Sequence, residues 1–381
     1  MRAEPLFLYG TLRHAPLYAA VAGGPLRAEV AELADHAVAV AHLAGGRSLN
    51  FPLFTPRAGA VAQGLIVRPD TEARARLDFY ERVFGYDPVA ITVTTAAGPV
   101  AAQIYLPRLG LWQPGADWLL SEWAAAAGDM TVEVAAEVMA LRHEATPEAV
   151  LHRYPMIAIR VASRRRARAE PAPATLRRQA SADDVVVAEL RHPYTWFFGV
   201  EEADLRFRRF DGSLSEVVNR AGFVLGDAVT VLPYDPVRDC VMLVEQFRFG
   251  PYARGDTNPW SLEPIAGRID AGESPQTAAR REAQEEANLT MQTLHTVGRY
   301  YVSPGAVTEY LVSFVGIANL PASAEGVSGL ELEAEDIRAH VIPFDRLMAM
   351  VATGEVANAP LLITAQWLAL NRERLRISAA G

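Results

Sequence analysis

Cysteine is almost absent from this sequence, since Cys240 is the only one among 381 residues. A single cysteine excludes a disulfide within the chain, which is usual for proteins of a reducing compartment. Cys240 lies in an apolar run typical of a strand, so we predict a buried small side chain rather than a nucleophile. Apolar runs long enough to span a membrane are also lacking, and the opening residues MRAEPLFLYG contain no signal-peptide core. We therefore expect a cytoplasmic protein.

Positive charge is in deficit, because the sequence has 36 Lys and Arg residues but 45 Asp and Glu residues, which gives a formal net charge of −9. This balance argues against broad nucleic-acid binding, which needs a basic face. An anionic ligand would have to be attracted locally, by a metal ion and a few arginines. The length of 381 residues predicts two domains, and the 50% of hydrophobic residues is ample for two cores.

Residues 164–184 predict a linker, because they combine clustered arginines, proline and alanine without strong periodicity. The domain before it, 1–163, ends in a helical segment. The domain after it, 185–381, begins with strand-like runs and ends with two helices within 343–375. The sequence therefore predicts an α+β protein with two domains.

The most informative stretch is 267–289, GRIDAGESPQTAARREAQEEANL. Ser274 can cap a helix, Pro275 suits its first turn, and Asn288 can end it in the left-handed conformation. Three acids fall on one helix face at spacing i, i+3, i+4, namely Glu282, Glu285 and Glu286. Carboxylates that close repel one another, and a hard divalent cation such as Mg²⁺ relieves the repulsion. Such a metal can neutralise a pyrophosphate and orient a hydroxide nucleophile.

This stretch resembles the Nudix box, the signature of hydrolases that cut a nucleoside diphosphate linked to another group. The fixed positions of the box fall on Gly267, Glu273, Arg281, Glu282, Glu285, Glu286 and Leu289. Asn288 stands where the family has glycine. The flanks across 185–375 are similar to the ADP-ribose pyrophosphatase subfamily. That resemblance implies a C-terminal Nudix α/β/α sandwich with an added N-terminal β-sheet, which exchanges between the subunits of a homodimer.

The resemblance also implies a metal site. Its ligands are the backbone carbonyl of Ala266 and the carboxylates of Glu282 and Glu286. Glu285 is a further carboxylate that binds metal or takes part in catalysis. The implied metal is Mg²⁺, with Mn²⁺ as the alternative.

Other residues receive their roles from the same resemblance. Glu333, the first acid of an E-x-E-D run, positions or deprotonates the attacking water, with Glu335 as the neighbouring candidate. Arg248 contacts a substrate phosphate, for which its guanidinium fork is suited; an ordinary surface arginine at a strand end is the alternative. Glu309 lies near the terminal ribose. The aromatic run 196–198 either stacks on adenine or lies in a dimer interface.

A second signal opens the chain, where a short apolar strand runs into Tyr9-Gly10-Thr11-Leu12. Backbone N–H groups of such a turn can bind an anion. Together with ARLDFYE at 75–81, the turn resembles the gamma-glutamylcyclotransferase-like (AIG2-like) fold, a small N-terminal β-barrel. The resemblance implies that these four residues grip a glutamyl carboxylate and that Glu81 is the acid/base. The glycine and arginine that usually follow that glutamate are missing, so a barrel used for binding or assembly is the alternative.

The sequence thus predicts Mg²⁺-dependent hydrolysis of ADP-ribose, a small-molecule substrate, to AMP and ribose 5-phosphate. Three alternatives stay open: another nucleoside diphosphate sugar such as GDP-mannose or an ADP-sugar, gamma-glutamyl cyclotransferase activity in the first domain, and a non-catalytic ADP-ribose sensor. The order of the two domains resembles that of proteins named for tellurite resistance, of the TrgB type.

Overall fold

The computed structural model describes residues 4–42, 48–107, 112–171, 173–196, 198–321, 326–328 and 336–380. The chain divides into two compact units, Met1–Val161 and Ala162–Gly381, close to the predicted domain limit at residue 163. Within the described residues, no helix is long and apolar enough to cross a membrane.

The first unit begins with strands and ends with helices. Its strands are β1 (Leu6–Leu8), β2 (Ala28–His42), β3 (Ser48–Val67), β4 (Tyr86–Thr95), β5 (Gly98–Pro107) and β6 (Gln113–Asp117). Its helices are α1 (Ala15–Ala22), α2 (Thr71–Val83), α3 (Leu120–Trp123), α4 (Asp129–Ala140) and α5 (Pro147–Ala169), the last of which continues into the second unit.

The described strands of the first unit close into a barrel, as predicted. The sheet runs in the order β3-β1-β5-β4-β2, and β2 pairs with β3 again to complete the circle. Side chains of β1 alternate between two cores, because successive residues of a strand point to opposite faces. Phe7 is buried with Ile66 and Ile104 in one core, whereas Leu6 and Leu8 are buried in another with residues of α1, α2, α4 and α5.

The second unit contains the longer succession of strands. They are β7 (Val185–Thr195), β8 (Gly199–Phe207), β9 (Val218–Val224), β10 (Ala228–Asp235), β11 (Cys240–Phe247), β12 (Trp260–Glu263), β13 (Ile265–Arg268), β14 (Thr293–Tyr301), β15 (Tyr310–Ile317), β16 (Gly326–Ser328) and β17 (Ile337–Pro343). The helices are α6 (Phe249–Arg254), α7 (Pro275–Ala287), α8 (Phe344–Thr353) and α9 (Ala359–Ala380).

Helices cover the two faces of the main sheet, which runs β14-β15-β10-β11-β17-β16 with β13 beside β10 and β12 beside β11. Met242 and Phe314 are buried in one core with Ala279 of α7. The neighbouring strand residues Leu243 and Val315 are buried in a second core with residues of α8 and α9. The predicted α/β/α sandwich is therefore confirmed, and β7-β8-β9 form the predicted additional sheet.

Helix α5 reaches Ala169 and so extends into the segment predicted as a linker. Alanine and arginine are good helix formers, and this local preference outweighs the charge clustering that indicated a linker. The end of α5 is held within the second unit by Asp227, which is 6% exposed. Arg166 Nε donates to its Oδ2 at 2.6 Å, and Ser163 Oγ donates to its Oδ1 at 2.5 Å.

Candidate active site

Helix α7 has the ends that the sequence predicts. The hydroxyl of Ser274 accepts from the Thr277 N–H at 3.1 Å, and Pro275 opens the first turn. Asn288 ends the helix in the left-handed conformation with φ 50° and ψ 38°, which explains why asparagine can stand where the family has glycine. Ala279 and Ala283 are fully buried, so the helix packs closely on the sheet.

Gly267 lies where α7 meets β13, directly against the side chain of Glu282. A Cβ atom on Gly267 would lie 1.9 Å from the Cδ and Oε1 atoms of that glutamate. This distance is far below van der Waals contact, so any larger residue would displace the carboxylate or the strand. The glycine is therefore required by the position of Glu282 rather than by a turn.

Glu286 faces the edge of β13, and the glutamate is 5% exposed. Its Oε2 lies 3.4 Å from the backbone nitrogen of Ala266, which donates to it. A strand residue directs its N–H and C=O groups to the same edge. The Ala266 carbonyl is therefore directed toward the edge at which Glu286 lies.

Arg281 joins the acids of this region. Its Nε and Nη2 donate to both carboxylate oxygens of Glu273, at 3.1 and 3.0 Å. Its Nη1 donates to Glu282 at 2.8 Å and to Glu285 at 2.9 Å. Burial acts to lower the pKa of Arg281, but these acids together raise it, so the group keeps its charge. Among the described residues, no group of three or more His, Cys, Asp or Glu side chains is gathered so as to hold a metal ion.

Arg248, predicted to hold phosphate, follows the end of β11 and is bound to Glu263. Its Nε lies 3.1 Å from each carboxylate oxygen, and its Nη2 donates to Oε2 at 2.7 Å. Glu263 is 5% exposed and lies opposite Val244 in the pairing of β12 with β11. Glu263 was not singled out from the sequence, because only the register of these short strands brings it beside Arg248.

Glu309 is half-buried immediately before β15. Burial raises the pKa of this carboxyl group, and Arg268 and Arg248 act in the opposite direction. The structure therefore brings Glu309 near both arginines, of which Arg268 was not singled out from the sequence. Glu333 and Glu335 lie outside the described residues.

In the first unit, Tyr9 of the opening turn lies near Glu81 of α2. Burial raises the pKa of Glu81 to about 8. Burial and the nearby Tyr86 and Glu81 raise the pKa of Tyr9, whose ring packs at a tilt against Phe54 with 4.9 Å between ring centroids. The structure thus brings the tyrosine of the opening turn close to the predicted acid/base.

The turn itself continues from Tyr9 into a single 3-10 turn, Thr11–Arg13. Leu12 is 3% exposed and belongs to the helical core of this unit. A Cβ atom on Gly10 would lie 2.6 Å from Cγ of Pro52, so this position has no room for a side chain. Packing therefore accounts for Gly10 and Leu12 whether or not the turn binds an anion.

The raised pKa of Glu81 predicts a pH-dependent stability of the first unit. Its ordinary pKa is 4.5 and its folded pKa is about 8, so between these values the folded state binds more protons than the unfolded state. The contribution of Glu81 to stability is then fully present below about pH 4.5 and is lost as pH rises through about 8, by up to about 1.4 kcal/mol per pH unit. Hydrogen exchange of residues 71–107 in the full chain should show this fall.

The Glu81→Gln variant should remove that pH dependence, whereas Glu122→Gln, at an exposed position of α3, should retain it. If stability fell with pH as steeply in the Glu81→Gln protein as in the wild type, a protonated, buried Glu81 would be contradicted.

Each of the two units matches a different family of known proteins. Residues 224–363 match the NUDIX domain family, and residues 6–123 match the family described as gamma-glutamyl cyclotransferase, AIG2-like. The ADP-ribose pyrophosphatase of Escherichia coli (strain K12) is 39% identical over 194 residues, which are 51% of this chain and 92% of that protein. The ADP-ribose pyrophosphatase of Haemophilus influenzae is 34% identical over 200 residues, which are 52% of this chain and 92% of that protein. The GDP-mannose pyrophosphatase of Enterobacter sp. (strain 638) is 32% identical over 146 residues, which are 38% of this chain and 75% of that protein.

A mixed sheet between helices, with an acidic helix packed on a glycine-bearing strand, defines the class of the second unit as a Nudix-type hydrolase. The chain belongs to the Nudix family. Its first unit is an AIG2-like barrel.

Proposed function

We propose that this protein hydrolyses ADP-ribose to AMP and ribose 5-phosphate with the help of Mg²⁺. The observation that carries the proposal is that two carboxylates of α7 lie against β13. Glu282 packs against Gly267, and Glu286 accepts from the Ala266 N–H. Support for the substrate comes from the ADP-ribose pyrophosphatases, since the chain matches 92% of the length of both relatives.

The donor groups suit a hard divalent cation. Glu282, Glu286 and the Ala266 carbonyl offer only oxygen, which Mg²⁺ prefers, and Mn²⁺ accepts the same ligands. These ligands comprise only two acidic side chains and one backbone oxygen, so the site does not require a cluster of three acidic side chains. When bound, the metal would neutralise diphosphate charge and lower the pKa of a water molecule. Glu285 contacts Arg281 and is the more exposed acid, which suits a supporting role.

The remaining steps fall to protein side chains. We assign to Arg248 the binding of a substrate phosphate, because Glu263 holds its guanidinium in a fixed plane at the end of β11. We assign to Glu333 the positioning or deprotonation of water, with support from the family resemblance alone. A non-catalytic ADP-ribose sensor would have no need of the metal carboxylates.

The GDP-mannose pyrophosphatase relative keeps a second nucleotide sugar open. A panel of ADP-ribose, GDP-mannose and ADP-glucose, compared by kcat/KM at one Mg²⁺ concentration, decides between them. We expect ADP-ribose to exceed the others by at least about tenfold, which corresponds to roughly 1.4 kcal/mol of transition-state binding. A reversed ranking would reject ADP-ribose as the preferred substrate.

A second candidate activity is favoured by Glu81, whose pKa of about 8 suits an acid/base near neutral pH. The barrel could then release 5-oxoproline from a gamma-glutamyl compound, with the substrate carboxylate bound by the backbone of Gly10, Thr11 and Leu12 and flanked by Tyr9. Assays without metal, on the wild type and on Glu81→Gln, test this activity separately from the Nudix reaction.

Assembly and location complete the proposal. We propose a homodimer, because β7 exposes large apolar side chains that a second copy would cover, among them Val185, Val187 and Leu190. We also propose that the protein is cytoplasmic. A relation to tellurite-resistance proteins of the TrgB type rests on the order of the two domains.

A further inference from the structure

Gln246 of β11 lies on the face of the main sheet that α7 covers. Successive residues of a strand point to opposite faces. Met242 and Val244 are buried in the core that contains residues of α7, whereas Leu243 is buried in the core under α8 and α9. Gln246 comes two residues after Val244 in the same strand, so its side chain lies on the α7 face.

The side-chain amide of Gln246 is buried, and its nitrogen has no acceptor. The residue is 8% exposed, and within the part of the chain that the structure describes its Nε2 atom makes no hydrogen bond. A buried N–H group without an acceptor costs free energy, so such a group in a folded protein needs an explanation. An apolar side chain, like those of Met242 and Val244 on the same face, would occupy this place without that cost. The amide therefore points to an acceptor that a ligand supplies.

An ion pair of the same face lies on both sides of Gln246. Ser261 of β12 pairs with Gln246, and Glu263 pairs with Val244, one step earlier on the same face. Arg248 comes one step later, because its backbone is still extended with φ −124° and ψ 127°. Arg248 Nη2 donates to Glu263 at 2.7 Å. The row that contains Gln246 therefore lies between the two residues of this ion pair.

The proposed metal ligands lie near the other end of this row. Ala266 follows Glu263 by three residues, so their Cα atoms are at most about 11 Å apart. The N–H of Ala266 donates to Glu286 of α7, the helix that covers the face of Gln246. A ligand that extends from the proposed metal site to Arg248 would therefore pass the amide of Gln246.

The chemistry of these groups selects the part of the ligand that Gln246 contacts. A carboxamide nitrogen carries two donors and no charge. Between a site for a divalent cation and a guanidinium, the favoured ligand atoms are anionic oxygens, and both positive groups bind phosphate oxygens well. A diphosphate has enough oxygens to serve the cation, the guanidinium and the amide together.

We propose that Gln246 is a further substrate-binding residue, whose Nε2 donates to an oxygen of the substrate diphosphate. This inference deepens the proposed function and rests on it in one respect, namely that the ligand of this face is a nucleoside diphosphate compound. It does not depend on which sugar or base the compound carries.

Inorganic pyrophosphate is the probe, because it carries the diphosphate that all the candidate nucleotide sugars share. Calorimetry on the full chain with Mg²⁺ measures its affinity, and a thermal melt without ligand measures stability. In Gln246→Met, which keeps the length of the side chain but removes both donors, the affinity should fall by about 10- to 100-fold, as for the loss of a hydrogen bond to a charged group. The melting midpoint of the same variant should equal or exceed that of the wild type, because a buried donor without an acceptor has been removed.

Gln246→Glu is the second variant, since it keeps the shape and replaces the donor with an anionic oxygen. It should lose at least as much affinity for pyrophosphate as Gln246→Met. Gln366→Met is the matched control, because Gln366 is an exposed residue of α9, the helix on the other face of the sheet. Its affinity and melting midpoint should both equal those of the wild type.

Two results would overturn the inference. One is a pyrophosphate affinity in Gln246→Met equal to that of the wild type, which includes the case that neither protein binds pyrophosphate. The other is a lower melting midpoint in Gln246→Met, which would show that the amide stabilises the fold. Absence of ADP-ribose turnover by a wild type that binds pyrophosphate would reject the proposed function and leave the role of Gln246 to be decided by the binding data.

Discussion

Replacement of Glu286 by glutamine should lower kcat for ADP-ribose by about a thousandfold. The variant keeps the volume of the side chain and an oxygen that can accept from the Ala266 N–H, so the fold should be retained. What it loses is the negative charge, and a metal ion held there would supply several kcal/mol of charge stabilisation in the transition state. Each factor of ten in rate corresponds to about 1.4 kcal/mol, which gives the expected size of the loss.

Steady-state kinetics across a Mg²⁺ titration check this result, together with a thermal melt. The Mg²⁺ concentration for half-maximal rate should rise, since one of the proposed ligands would be weakened. Glu373→Gln, an exposed glutamate of α9, is the matched control and should behave as wild type. Near-normal turnover by Glu286→Gln would show that Glu286 is not a metal ligand.

Replacement of Gly267 by alanine is the second change with a large expected effect. The added methyl group would lie 1.9 Å from the carboxylate of Glu282, so either that carboxylate or β13 must move. Either movement changes the position of Glu282 relative to the Ala266 carbonyl, the other proposed ligand on β13, and a displacement of about 1 Å can lower kcat by about a hundredfold. We therefore expect a loss of that size, together with a weaker response to Mg²⁺.

Two further variants separate this effect from general destabilisation. Gly250→Ala adds the same methyl group where nothing lies within 4 Å, and it should leave activity unchanged. Shortening the neighbour, in the double variant Gly267→Ala with Glu282→Asp, relieves the overlap, so the two losses should be less than additive. Full activity of Gly267→Ala alone would mean that the position of Glu282 does not matter for catalysis.

The sequence was sufficient where local chemistry determines structure. Ser274, Pro275 and Asn288 set the limits of α7 by caps that depend on neighbouring backbone groups only. The apolar run around Cys240 likewise predicted a strand, and Cys240 is buried at the start of β11 as expected. Burial raises the pKa of its thiol, which agrees with a packing role.

The sequence was insufficient where pairing between distant segments decides. Glu263 and Arg268 stand in short strands whose register with β11 and β10 cannot be deduced from composition, and that register brings them to Arg248 and Glu309. The extension of α5 was missed for a related reason, because Asp227 lies far along the chain from Arg166. Tyr9, Glu81 and Tyr86 also come from separate parts of the first unit, namely the turn after β1, helix α2 and strand β4.

The central claim is a metal-dependent cleavage of ADP-ribose at its diphosphate. Mass spectrometry of the products formed by the full chain, with Mg²⁺ and with a chelator in its place, tests this claim most directly. The account predicts AMP and ribose 5-phosphate in equal amounts, formed only when the metal is present. Failure to cleave ADP-ribose with Mg²⁺, or equal cleavage in the presence of the chelator, would contradict it.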